Sequence, residues 1–166
     1  MTLRRARAQD VPAISDIWQA MAELHSQMDP RFGVLSDDLD TFVRYLRSCL
    51  RSRDSCVLVA EESPGTPLLG FAIGQLRDGP RSLGHRQVGH ISDLAVSTAY
   101  RRRGIGTALC QSLLHWFREC RVGQVTLNVS CANVPAQAFW ERQGFRDFTH
   151  RMCLCLGPLG TAEGRS

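Results

Sequence analysis

The stretch Arg101-Arg102-Arg103-Gly104-Ile105-Gly106 stands between an apolar segment, His90 to Val96, that reads as a strand, and an amphipathic segment running to Glu119 that reads as a helix. A strand, a glycine turn and a helix start together make an anion site. The first amide N–H groups of a helix have no partner inside it, and the helix dipole favours negative charge at that end. Gly104 and Gly106 keep side chains from standing between those groups and an oxyanion, and glycine tolerates the left-handed angles of a concave nest of amides. The three arginines add planar forks of donors. The segment therefore suits a pyrophosphate or a 3′-phosphate rather than a neutral ligand.

Two familiar phosphate loops are excluded on named residues. A Walker A loop needs Lys-Ser or Lys-Thr after its last glycine, and the chain contains no lysine at all. A dinucleotide fingerprint needs Gly or Ala where Leu109 stands, and an acidic residue at the end of the next strand, where Asn128 to Cys131 stand. What remains is Arg or Gln, two residues, Gly, one residue, Gly after a strand, which resembles the acyl-coenzyme-A motif of the GNAT superfamily of N-acetyltransferases. A second block strengthens the resemblance. Asn133, Ala136, Phe139, Trp140, Glu141, Arg142, Gly144 and Phe145 follow the next strand in the spacing of that family. The likeness covers Cys56 to Leu156, while the residues before it match only in their helical layout.

At 166 residues the chain fits one domain, 1–156, and is long enough to bury about 70% of its unfolded surface. No run of about 18 apolar residues marks a membrane span, and Met1 to Asp10 lacks the apolar region of a signal peptide, so the expected location is the cytoplasm. The seven cysteines are odd in number and sit in apolar contexts such as Cys56 and Cys110; they read as reduced core thiols, with no metal implied. The net charge of +4, from 20 arginines against 16 acids, suits an anionic cofactor but is too small an excess for nucleic acid. Arg101 to Arg103 also adjoin glycines rather than the aromatics of a nucleic-acid face.

Periodicity lays out a mixed α/β chain. Thr2 to Arg7 reads as a first strand, and Asp10 with Pro12 opens a helix carrying Val11, Ile14, Ile17, Trp18, Met21 and Leu24 that ends near His25. After a turn at Asp29 and Pro30, a second helix is capped by Ser36 and carries Leu39, Phe42, Val43, Leu46 and Leu50. Cys56 to Ala60 and Leu68 to Gln75 form a hairpin across Ser63 to Pro67, and a turn at Asp78 to Gly84 precedes the fourth strand. In that strand the apolar positions slip phase between Ile91 and Leu94, as a β-bulge would cause. Ile105, Leu109, Leu113, Trp116 and Phe117 mark the third helix, and Val125, Leu127 and Val129 the fifth strand. A short helix, Asn133 to Gln143, leads to a final strand ending near Leu156, and the tail from Gly157 to Ser166 is expected to be disordered.

The resemblance implies a central, largely antiparallel sheet splayed between its fourth and fifth strands, and direct acetyl transfer from acetyl-CoA to an amine. It places the pantetheine arm on Leu94, Ala95, Val96 and Asn133, and the phosphates on Arg101, Arg102, Arg103, Gly104, Ile105, Gly106 and Thr107; Phe139 and Trp140 pack on the cofactor. Asn133 equally suits a helix cap. The backbone N–H near Leu94 is the implied oxyanion donor, worth roughly 3 to 4 kcal/mol in the transition state. The base falls on the fourth strand, at His90 with Asp93 close behind; histidine titrates in the right range. Trp140 departs from the family, which often has there a tyrosine that protonates the leaving thiolate. Indole cannot supply that proton, so a rival reading is a non-catalytic acyl-CoA-binding or sensing module. Acceptor contacts are nominated on the first two helices and their connection, at His25, Asp29, Arg31, Phe32 and Asp37. A small amine, an amino acid and a peptide N-terminus all remain as acceptors, and a homodimer through Met152 to Leu156 is compatible with the family.

Overall fold

The computed structural model describes residues 1–29, 38–79 and 87–154. The expected cap at Ser36, the residues Arg31, Phe32 and Asp37, the end of the turn at Gly84 and the tail 157–166 lie outside these. Five strands, β1 (Thr2–Arg5), β2 (Ser55–Glu61), β3 (Leu68–Asp78), β4 (Gln87–Val96) and β5 (Val125–Leu127), make one sheet in sequence order. Pairing is antiparallel from β1 to β4 and parallel between β4 and β5. Four helices cover it: α1 (Val11–Met28), α2 (Asp38–Arg51), α3 (Ile105–Glu119) and α4 (Val134–Arg142).

The central strands are buried on both faces, and alternation sorts their side chains. Val57, Val59, Phe71 and Ile73 join Val11, Ile14, Phe42 and Leu46 of α1 and α2 in one core. Cys56, Leu58, Ala60, Ala72 and Ile91 join Leu109, Leu113 and Phe117 of α3 in the other. The packing on α3 is close enough to dictate residue type. A Cβ at Gly89 of β4 would stand 2.7 Å from the Phe117 ring, so only glycine fits. At the far end of the sheet, Arg4 spreads its guanidinium over two buried carboxylates. It donates to Asp10 at 2.7 and 2.9 Å and to Glu61 at 3.0 and 3.1 Å, tying β1 to the start of α1 and to β2. These bonds hold the Asp10 carboxyl below the usual carboxylate range.

The splay between β4 and β5 has a defined edge. Their pairing runs Gly89↔Val125, His90↔Thr126 and Ile91↔Leu127, and β4 continues to Val96 while β5 ends. Val129, expected in β5, lies beyond that edge and is 37% exposed. Two other expectations fail. α1 runs past His25 to Met28, because no glycine or proline interrupts it before Pro30. No strand forms over the described residues 145–154, and Phe148, Met152 and Leu154 lie exposed with no strand paired to them. The homodimer through Met152 to Leu156 thus has no strand to rest on among the described residues.

Candidate active site

The phase slip in β4 is a bulge. Ile73 pairs with Asp93 and Gly74 with Ile91, which leaves Ser92 as the extra residue. As a result Ser92 and Asp93 both reach the α1/α2 layer: the Ser92 hydroxyl lies 2.6 Å from the Tyr45 hydroxyl, and Asp93 accepts from Ser92 and from the Trp18 indole. Leu94 turns to the opposite face, toward Gly106. Burial pushes the Asp93 carboxyl above its ordinary value, against the pull of those two donors.

Beyond the last β4–β5 pair opens a cleft of about 1060 Å3, large enough for a sizeable ligand. It passes through the splay, so that one side is walled by α1 and α2 and the other by α3, α4 and the turn before α3. Of the expected cofactor contacts, Leu94, Ala95, Val96, Arg101, Arg102, Gly104, Ile105, Gly106, Thr107, Asn133, Phe139 and Trp140 line it. Arg103 does not; its guanidinium sits 5.4 Å over the Tyr100 ring. Arg101 donates to the Val96 carbonyl at 3.2 Å, which locks the turn to the end of β4.

The turn has the shape of a nest. Arg102 (φ 63°) and Gly104 (φ 79°) are both left-handed, and the arginine adopts that angle at a cost of about 1 to 2 kcal/mol. The first α3 hydrogen bond reaching back to the turn is Ala108 N–H to Gly104 O, at 3.0 Å, so the N–H groups of Ile105, Gly106 and Thr107 precede the helical ladder. At Gly106 a Cβ would stand 3.5 Å from Phe139 and 3.6 Å from Leu94, ordinary contact distances. Packing therefore leaves room for a side chain there, and a ligand is the better reason for glycine.

Asn133 takes the expected cap position and lines the cleft. Its side-chain oxygen accepts from Ala136 N–H at 3.1 Å, capping α4, while its amide nitrogen lies 3.3 Å from His25 Nε2 of α1. His25 lines the cleft, and burial lowers its pKa. Asp29 is buried at the end of α1, where its N–H donates to the His25 carbonyl, and does not line the cleft.

His90 stands apart from this cleft. Register places it in a row with Gln75 and Thr126, with Nδ1 3.1 Å from the Thr126 hydroxyl, which itself donates to Gly89 O. That leaves the hydroxyl oxygen to accept a hydrogen bond from Nδ1–H. Burial, then the charge of Arg77, pushes the imidazole down to about 4, so near pH 7 it is neutral and a weak base. Trp140 packs edge-on between Phe139 and Phe145, at 4.9 and 5.4 Å. Sequence reasoning missed Tyr45 and treated Trp18 and Met21 as core alone. Tyr45 follows Phe42 by three residues, the one signal that its hydroxyl would face inward. Among the described residues no group of three His, Cys, Asp or Glu gathers to hold a metal, and no helix is long and apolar enough to cross a membrane.

Comparison with known proteins bears on this geometry. The family model "Acetyltransferase (GNAT) family" matches residues 18–145. The mycothiol acetyltransferase of Acidothermus cellulolyticus is 31% identical over 101 residues, covering 61% of this chain but only 31% of that protein. The uncharacterized N-acetyltransferase YhfO of Bacillus subtilis is 24% identical over 94% of this chain and 97% of its own length. In fold, the BH1408 protein of Bacillus halodurans, solved as a tetramutant, superposes with a TM-score of 0.82 at 22% identity, over 94% of this chain and 100% of that one. A predicted acetyltransferase of Clostridium acetobutylicum solved with acetyl-CoA superposes with a TM-score of 0.71 at 20% identity, over 93% and 96%. With its nest, splayed sheet and bulged fourth strand, the chain belongs to the GNAT family of acetyltransferases.

Proposed function

We propose that the protein moves the acetyl group of acetyl-CoA to a primary amine by direct transfer. The observation that carries this reading is the continuity of the cleft, from the nest at Arg102 to Gly106, through the splay, to Asp93. Acetyl-CoA, when bound, supplies an acetyl group as an activated thioester. The N–H groups of Ile105, Gly106 and Thr107, with Arg102, hold its phosphates. Leu94 to Val96 and Asn133 orient the pantetheine arm.

Asp93, rather than His90, takes the proton of the incoming ammonium, directly or through water. It lines the cleft, and burial moves its pKa toward the working range of a base, whereas His90 is outside the cleft and shifted away from that range. Tyr45, Ser92 and Trp18 hold Asp93 in place. The amine nitrogen then bonds to the acetyl carbon and sheds its second proton to water, the carbon–sulfur bond breaks with the electron pair leaving on sulfur, and the backbone at Leu94 donates to the oxygen where charge develops. A thiol pKa near 8.5 lets the sulfur leave as thiolate without the tyrosine that Trp140 replaces.

The test is release of free CoA thiol from acetyl-CoA with and without amines, beside calorimetric binding of acetyl-CoA. Binding with amine-dependent release is the expected result. Binding without release over a broad panel would favour an acyl-CoA sensor, and absence of binding would overturn the assignment of the Arg101 to Gly106 turn.

A further inference from the structure

The wall opposite the nest carries its own chemistry. On the α1/α2 side the cleft is lined by Trp18, Met21, Leu24 and Met28 of α1 and by Phe42 and Tyr45 of α2. Trp18 and Phe42 stack at 4.4 Å between centroids, 10° from parallel, giving a flat aromatic face. Charge on this side is sparse. Asp93 stands at the inner end, and the only other lining acid among the described residues is Asp38 in the first turn of α2, which has a partner already, as does His25.

Among the described residues this distribution disfavours several acceptor types. A polyamine or an aminoglycoside brings several ammonium groups, and each one taken from water without a carboxylate costs several kcal/mol. A phosphorylated acceptor needs cations, but the arginines lining the cleft, Arg101, Arg102 and Arg142, stand on the turn before α3 and on α4, the donor side. An apolar body, by contrast, gains burial against Trp18, Phe42 and the methionines.

Resting on the amine-acetylating reading above, we infer that the acceptor is a monoamine on an apolar body of about one aromatic ring's size, its ammonium directed to Asp93 and its body laid on the Trp18–Phe42 face. Asp93 then serves as both counter-ion and proton acceptor, and one apolar slot sets the choice of substrate.

The experiment compares initial rates of acetylation of phenethylamine, spermidine, kanamycin, an aminosugar phosphate and a short peptide with an amino-terminal Met, with acetyl-CoA binding measured in parallel. Phenethylamine is expected to lead in kcat/KM by about 10- to 100-fold, the range that burying one aromatic ring supplies. A polycation, phosphate or peptide that outruns it, or intact acetyl-CoA binding with none of the panel acetylated, overturns the inference. Loss of acetyl-CoA binding itself would instead overturn the transferase reading.

Met21→Glu places a second carboxylate on the apolar wall. It should raise KM for phenethylamine by about 10-fold, leave kcat within about 3-fold, and narrow the gap to spermidine. Met28→Glu, at a position 42% exposed where a charge is tolerated in the fold, should act in the same direction more weakly. Unchanged KM values in the folded Met28→Glu protein, and in Met21→Glu if it folds, would show that the amine does not lie on this wall.

Discussion

On its α3/α4 side the cleft is built around a backbone feature: the N–H groups at the start of α3 and the left-handed turn at Arg102 and Gly104. On its α1/α2 side it presents side chains, Trp18 and Met21 from one helix, Tyr45 from another, Ser92 and Asp93 from a strand. A backbone site tolerates wide change in the residues around it but not in its glycines. A side-chain site depends on each member, and each member is supported by another.

Asp93→Asn tests that contrast most severely. Turnover should fall by about 100- to 10,000-fold while acetyl-CoA affinity stays put, read by thiol release and calorimetry. The same change should stabilise the fold. Because burial raises the Asp93 pKa in the folded state, its ionised form opposes folding; that penalty is absent below the unfolded value of about 3.9 and grows as pH rises through the folded value. Thermal melts should therefore show the variant gaining over the parent at pH 7 and losing that gain in acid. Asp10, held low by Arg4, contributes with the opposite sign: its stabilisation is present above about 3.9 and lost as pH falls through its folded value.

Gly106→Ala probes the other side. The fold accepts the methyl group at 3.5 Å, so the melting temperature should hold, yet acetyl-CoA affinity should drop by about 10-fold or more as the methyl stands before the helix N–H groups. Equal loss of stability and affinity would mean that packing, not a ligand, keeps glycine there. The three arginines should separate. Arg102→Ala should weaken acetyl-CoA by about 10-fold, as loss of a charge-assisted hydrogen bond does, and Arg103→Ala by less, since Arg103 is engaged with Tyr100. A larger effect at Arg103 would mean that its side chain swings into the cleft on binding. Trp140→Tyr should raise kcat by no more than about 10-fold, and a shift in the alkaline limb of its pH profile would show that thiolate protonation limits the parent. His90→Gln should change kcat by less than about 3-fold; a loss near that of Asp93→Asn would return the base to the histidine.

The turn before α3, the α4 cap and the β4 bulge could be read from the chain because their information is local. Gly104 and Gly106 lie within one turn, Asn133 to Phe145 within one helix and its cap, and even the bulge announced itself as a change of parity between Ile91 and Leu94. The α1/α2 side of the cleft could not, because Trp18, Tyr45 and Ser92 meet only after α1 and α2 dock on the sheet, and each also fits a core or surface pattern. His90 is a similar case. Its ring type suits a base, but what lowers its pKa, burial and then the charge of Arg77 on another strand, comes from the assembled sheet. The expected last strand is absent over the described residues 145–154, where Phe148, Met152 and Leu154 lie exposed; a strand needs a partner edge, which a local stretch of sequence does not reveal.

Ser92 divides one strand into two trades. From Gln87 to Ile91, β4 is scaffold, ruled by neighbours such as Phe117, and substitutions there are felt as folding yield. From Asp93 to Val96 it lines an open cleft, and on the proposed mechanism substitutions there are felt as turnover. Deleting that single serine would restore an unbroken ladder while leaving Asp93, paired with Ile73, on the α1/α2 face; what the sheet would lose is the hydroxyl that meets Tyr45.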